Sequence, residues 1–403
     1  MLIPYVYIGI LFLFFFILIP ADGAFQVRGR WRRFRALMLE ASVRPFIRYS
    51  DTRRVESGYI GTFRFFGFLE AIREDTIWLR NQRLTINARM SSGTVYLLPS
   101  QEATEREGRV ENNVETLPEE NPKRLAWNSI FSLPQGTSVY ITGALFAGGG
   151  EIYFENTKDV PLVVVIYDGD TETILRRSIW SGRHKNEYWN QFTLPSLVVG
   201  FFSLLAYAYI LYRNPMMRHQ VIVAVTACVL PIAVFLPPGF FGFFIYKSFW
   251  KRARILRAER DLLLLPMKHF QYWDPAGHCE ISMLDSGEVY GLQRRHMAEE
   301  KEVLAAMPEM KVRSSSSVSV HRRNGDGEAY LFGVPLILEE GHVFLQPLDP
   351  MAECVFIPGN PEELSFRCAR QARRFEYFAL ASFVVGLCAN VLLIYALLHF
   401  IIR

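Results

Sequence analysis

The stretch Ser138-Val139-Tyr140-Ile141-Thr142-Gly143-Ala144-Leu145-Phe146-Ala147-Gly148-Gly149-Gly150-Glu151-Ile152-Tyr153-Phe154 reads as two strands joined by a glycine turn. Asp159, the β-branched run from Pro161 and Gly169 follow it. Ser196-Leu197-Val198-Val199-Gly200 then closes the segment inside an apolar run. The same layout returns at Tyr330, Gly333, a turn at Gly341, Val343-Phe344-Leu345, Asp349 and Gly359. That copy closes on Ser382-Phe383-Val384-Val385-Gly386, again in an apolar run. The pattern predicts a duplicated unit over 138–200 and 328–386, each a small β domain delivered into a membrane helix. A shorter echo lies upstream of the two copies: Ser92-Gly93-Thr94-Val95-Tyr96-Leu97-Leu98 against Ser286-Gly287-Glu288-Val289-Tyr290-Gly291-Leu292.

Outward from these units, half of the 403 residues are apolar, and the excess sits in four runs. Each is long enough for a helix to cross the apolar part of a bilayer, which takes about 20 residues. The expected spans are 1–21, 193–213, 220–246 and 376–402. The third carries Pro231, Pro237, Pro238 and Gly239, which predict an irregular helix. No Lys or Arg precedes the first run, whereas Arg28, Arg30, Arg32, Arg33 and Arg35 follow it, which favours a retained helix over a cleaved signal.

The fold class expected is a membrane α + β protein: four transmembrane helices with two small OB-like antiparallel β domains from an internal duplication. The first domain covers 25–190. It begins with a basic helix over 31–48, where Phe34, Leu37, Met38 and Ala41 recur at helical spacing and Pro45 ends the run. Strands follow at 64–72 and 76–80 around the turn Arg73-Glu74-Asp75, then at 84–88 and 94–98. The loop 101–123, with Glu at 102, 105, 107, 111, 115, 119 and 120, reads as a solvated spacer. Strands resume at 138–146, 151–155 and 161–167. The second domain covers 247–374, with a basic helix ended by Pro266 and a helical segment at 294–307.

Charge beside the spans sets orientation, because Lys and Arg accumulate on the cytoplasmic side. Both β domains flank the basic clusters, which include Lys251, Arg252, Arg254, Arg373 and Arg374. Only Arg213, Arg218 and Arg403 stand on the other side. The bias predicts a multi-pass protein of a bacterial inner membrane with cytoplasmic β domains. The ten residues Arg28, Arg30, Arg32, Arg33, Arg35, Lys251, Arg252, Arg254, Arg373 and Arg374 are the expected contacts to anionic lipid.

Gly148-Gly149-Gly150 lacks the following helix and Lys-Ser/Thr pair of a phosphate loop, so it reads as a hairpin turn. His269, Asp274, His278 and Cys279 are the densest group of potential ligands, at spacings that match no zinc pattern. No cofactor, catalytic residue or nucleic-acid partner is expected. Within their apolar runs, 2–20, 194–212, 221–246 and 378–402, the spans hold no Asp, Glu, Lys or Arg, which argues against a pump or carrier. Ser196 and Gly200 share one helix face, as do Ser382 and Gly386, and small-residue faces let helices approach closely in lipid. The expectation is that the second and fourth spans pack on each other through these four residues.

Tyr140-x-x-Gly143, the turn, the Ile152-Tyr153-Phe154 strand and the Pro161 strand running to a membrane helix resemble the GIDE (BAM) domain over about 55–212, with a fainter copy over about 270–400. The resemblance implies an OB-like domain between two spanning helices, used as a binding or scaffolding module. Some members of that family are ubiquitin ligases through a C-terminal RING, and this chain lacks the Cys/His series of a RING. The expected function is a non-enzymatic membrane scaffold or sensor that binds a protein, peptide or small ligand. An enzyme subunit or a channel or transport component are the alternatives.

Overall fold

The helix of the first apolar run does not stop where the apolar residues do. In the computed structural model one helical run, α1, spans Ile3–Ala41, so the expected span and the basic helix after it are continuous. Asp22 and the arginines add charge but no helix breaker. Phe34, Met38 and Ala41 are fully buried, which is the face their spacing predicts. The structure describes residues 2–47, 57–81, 84–90, 93–100, 120–183, 185–233, 236–269, 281–283, 289–296, 311–312, 328–338, 341–345, 349–352 and 354–402.

Contacts divide the chain into two units. The helical unit comprises Met1–Phe34, His184–Arg254 and Arg370–Arg403. The β unit comprises Arg35–Arg183 and Ile255–Ala369. The whole is a mixed α and β structure with one large sheet. Among the described residues three helices are long and apolar enough to cross a membrane: α1, α4 (Thr193–Tyr212) and the apolar part of α7 (Pro361–Ile402).

The expected third span is not a single helix. Residues 220–246 divide between α5 (Arg218–Ala233) and α6 (Gly239–His269). Pro237 lacks the donor that would continue the ladder, and the Pro237-Pro238 bond is cis. Pro266 behaves otherwise: it lies inside α6 and does not end it.

In the β unit, the long strand β1 (Gly58–Arg73) pairs with two partners. Its second half meets β2 (Thr76–Arg80) across the expected turn, where Glu74 takes a φ of 52°. Its first half meets β6 (Ser138–Gly148), with Phe63 opposite Gly143. β2 pairs with β3 (Thr85–Arg89), β3 pairs in parallel with β7 (Glu151–Glu155), and β7 pairs with β6. The five strands therefore close on themselves in the order β1-β2-β3-β7-β6-β1. Phe65, Leu69, Ile77, Leu79, Ile86, Leu145 and Phe154 fill the core, alternating with outward residues. The glycine turn is the expected hairpin turn: Gly149 and Gly150 have φ of 63° and 82°, which a side chain would strain.

β8 (Val163–Tyr167), buried along its whole length, pairs with β6 and, in parallel, with β4 (Thr94–Leu97). β5 (Lys123–Leu125) flanks β4. The short helices α2 (Trp127–Ile130) and α3 (Thr173–Trp180) complete this part. The polar stretch from 171 therefore contains a helix that its composition does not announce. Its Arg177 is fully buried and bonds Asp168 and the Pro99 carbonyl.

The second sheet is built on β12 (Glu328–Leu338). β13 (Gly341–Leu345) pairs with it from Val334 opposite Leu345 to Leu338 opposite Gly341. In the first sheet β6 and β7 pair from Ala144 opposite Glu155 to Gly148 opposite Glu151. β14 (Val355–Pro358) lies antiparallel to β12, and β11 (Lys311–Val312) lies parallel to β14. β10 (Val289–His296) places Gly291 opposite Gly333, and β9 (Ile281–Met283) covers its other edge. Two expectations change. Residues 294–296 belong to a strand rather than to a helix, and 297–307 lie outside the described residues. β10 stands beside β12 as β1 stands beside β6, so the upstream echo between residues 92–98 and 286–292 is not an equivalence of place.

Candidate functional site

One charged side chain of β1 points into the β-unit interior. Arg64, between Phe63 and Phe65, is 3% exposed. Its partner is Asp349, 2% exposed, from the turn before β14. Asp349 holds its own turn by accepting the Met351 N–H at 2.8 Å. The Arg64 Nε donates to the Arg44 carbonyl, and its guanidinium carbon lies 4.1 Å from the centre of the Phe46 ring. Arg44 donates to Thr142 Oγ1 at 2.9 Å and to Glu40 at 2.7 Å. Tyr140 is fully buried against the same groups. Burial pushes its phenol up to about 12, against the opposing pull of Arg64 and Arg44. Charges removed from water need this degree of pairing, since an isolated buried ion is costly. The centre joins β1 and β6 of the first sheet to the turn that precedes β14 of the second.

A second ion pair ties the helices of this unit. Arg183, after α3, pairs with Asp261 of α6, and Arg260 also donates to Asp261. Burial alone pushes the Asp261 carboxyl up. Arg183 and Arg260 outweigh it and hold the carboxyl below the usual range. A carboxylate with a depressed value contributes stability above its unfolded pKa, about 3.9 for Asp. That contribution is lost as pH falls through the lower folded value. Acid unfolding followed by tryptophan fluorescence should therefore show a limb below about pH 4 that flattens in Asp261→Asn. An unchanged profile would remove this pair as its source.

In the helical unit the small-residue faces do not meet as expected. Ser196 Oγ donates to the Phe15 carbonyl, and a Cβ added at Gly200 would stand 2.6 Å from Phe15 Cβ. This face of α4 packs on α1. It meets a π-helical stretch, Leu13–Leu18. Pro20 lacks the N–H that would reach the Phe16 carbonyl in a regular α-helix, and Tyr188 Oη donates to that carbonyl at 2.7 Å. Asn190 Nδ2 donates to the Pro20 carbonyl at 3.0 Å. The face of α7 packs on the start of α6. A Cβ at Gly386 would lie 3.2 Å from Gly242 Cα and 3.4 Å from Gly239 Cα. One at Gly242 would lie 2.9 Å from the Ser382 carbonyl oxygen. Asn390, 1% exposed, spans the helix break: its Oδ1 accepts the Gly239 N–H and its Nδ2 donates to the Leu236 carbonyl, both at 3.1 Å.

Of the expected lipid contacts, Arg30, Arg32, Arg33, Arg252, Arg373 and Arg374 are exposed, and Arg28, Arg35 and Lys251 are partly so. Arg35 also donates to the Ser181 carbonyl at 3.3 Å. Arg254 departs from the expectation. It is 6% exposed, with its guanidinium carbon 4.1 Å from the centre of the Trp250 ring.

Asp274, His278 and Cys279 lie outside the described residues, as do residues 101–119 of the acidic loop; His269 ends α6. Among the described residues no group of three His, Cys, Asp or Glu stands together to hold a metal ion. Neither Arg64 nor Asn390 was singled out from the sequence as part of a site; the signals that could have found them are a charge set between two phenylalanines and an amide inside an apolar helix. Their partners were not legible, because each is far along the chain. Comparison with protein-family models, with curated proteins and with solved structures finds no match.

Proposed function

We propose that this protein is a non-enzymatic membrane scaffold or sensor whose two β domains work as one binding body at the cytoplasmic face of a bacterial inner membrane. The observation that carries the reading is the buried Arg64–Asp349 pair, which joins the two β regions inside a single unit. It also bears on topology. Regions that share a buried ion pair stand on one side of a membrane, so the chain between them crosses an even number of times. α4 is one crossing. The return falls to α5 together with the apolar start of α6, a fourth span in two pieces. The arginine excess beside the β regions puts that side in the cytoplasm.

The closed order β1-β2-β3-β7-β6, with one long strand shared and β3 parallel to β7, supports an OB-like reading of the first domain. The matching registers of β6–β7 and β12–β13 support descent of both domains from one unit. With the apolar helices beside them they also support kinship with GIDE domains. Exposed arginines near the spans would hold anionic lipid, and a protein or peptide would bind the β face.

A reporter active only in the cytoplasm should give full signal when inserted at residue 110 and background signal at residue 216. The opposite pattern would overturn the topology. Turnover of a substrate by the purified protein would overturn the scaffold reading.

A further inference from the structure

Three neighbouring strands of the first ring each set one aromatic side chain at the same level of the outer surface. Tyr59 on β1 is the register partner of Phe146 on β6, and Phe146 is the partner of Tyr153 on β7. The ring centres of Tyr59 and Phe146 are 5.5 Å apart, and those of Phe146 and Tyr153 are 6.0 Å apart and nearly parallel at 18°. Their chain neighbours Leu145 and Phe154 are fully buried in the core, so side-chain alternation turns the aromatic row outward. One end of the row is already occupied: the Arg89 guanidinium carbon, from β3, lies 3.7 Å from the centre of the Tyr153 ring. Among the described residues the other end is open. Tyr59 is 56% exposed, and nothing stands within 4 Å of a Cβ built at Gly149 or Gly150 in the turn beside the row. Glu151 and Glu155 alternate with Tyr153 on the same side of β7. Glu151 accepts from Asn87 Nδ2 at 3.0 Å.

We infer that this ladder docks a basic, arginine-bearing segment of a partner protein. Arg89 on Tyr153 displays in cis the contact the free rings offer: a guanidinium stacked on an aromatic face. The two glutamates supply the complementary charge, and they disfavour a phosphate backbone. Arginine and tyrosine are also the residues in which interface energy concentrates. The inference rests on reading the β unit as a binding body and specifies the chemistry of what it binds.

The test uses the full-length protein in nanodiscs of neutral lipid, so that anionic headgroups do not compete. The probe is a fluorescent peptide of alternating glycine and arginine, followed by anisotropy. A stacked cation contributes about 0.5–2 kcal/mol, so Tyr59→Ala should weaken binding by roughly 2- to 30-fold. Glu151→Gln with Glu155→Gln should weaken it as well, and a citrulline version of the peptide should lose the same increment on the unaltered protein. Equal binding by Tyr59→Ala and the unaltered protein would overturn the inference. So would tighter binding of a single-stranded oligonucleotide than of the peptide, or no peptide binding at millimolar concentration. None of these outcomes alters the reporter pattern or the turnover assay, so the scaffold reading stands or falls separately.

Discussion

Replacing Arg64 with Met should destabilise the β unit by about 3–5 kcal/mol, the usual cost of leaving one member of a buried ion pair without its partner. Asp349→Ala should do similar damage from the other side, because Arg64 is then the uncompensated charge. Both side chains are nearly inaccessible, at 4% and 3%, so water does little to relieve either one. The double variant Arg64→Met, Asp349→Leu should recover most of the loss, since an apolar pair of similar volume often matches a buried salt bridge. Thermal unfolding of detergent-solubilised protein, with a double-mutant cycle, provides the measurement. Additive losses in the double variant would mean that the two residues act independently. In that case the pair is not what fastens the sheets together.

The second large effect belongs to the helical unit. Gly242→Leu should prevent α6 and α7 from packing, because even its Cβ would stand 2.9 Å from a backbone carbonyl oxygen and 3.1 Å from Gly386 Cα. Backbone cannot rotate away as a side-chain tip can. Overpacking commonly costs about 1–3 kcal/mol, and rigid contacts belong at the upper end. Asn390→Leu should add a different injury. It leaves the Gly239 N–H and the Leu236 carbonyl without their partner, at about 1–3 kcal/mol for each group. Cysteine crosslinking in a background without the native cysteines checks the geometry directly. Cysteines at Gly386 and Gly239 should join within one chain, as should cysteines at Ser196 and Phe15. Efficient joining of Ser196→Cys to Ser382→Cys would restore the original expectation that the two small-residue faces meet.

The sequence was most informative where structure is local. The hairpins at Glu74 and at Gly149-Gly150 follow from turn chemistry, and the alternation in Leu145-Phe146 and Ile152-Tyr153-Phe154 sorts core from surface. It was least informative about pairing between distant segments. Small residues at i and i+4 mark a face that accepts a close neighbour, yet they carry nothing that names the neighbour. Ser196 and Gly200 found α1, and Gly386 found α6. Helix ends were also hidden in part. Arg28 to Arg35 suit a helix as well as leucine does, so the loss of hydrophobicity near residue 22 marked a change of composition and not a break. Pro266 illustrates the converse, since a proline tells the reader that one donor is missing but not that the surrounding packing will yield.

Arg64 and Asp349 are 285 residues apart in the chain. At translation rates of about 5–20 residues per second, the arginine leaves the ribosome roughly a quarter of a minute to a minute before its counterion exists. Every strand of the five-membered ring has been made by residue 155, so the ring can close long before then around a cation that still faces water. The interval also covers the synthesis of α4, α5 and the start of α6. The order of synthesis therefore separates the two halves of the pair: the helices between them are made before the last acidic turn arrives to complete the β unit. A chain truncated between α6 and Asp349 would carry an exposed, half-finished seam, the kind of surface that quality-control proteases and chaperones recognise.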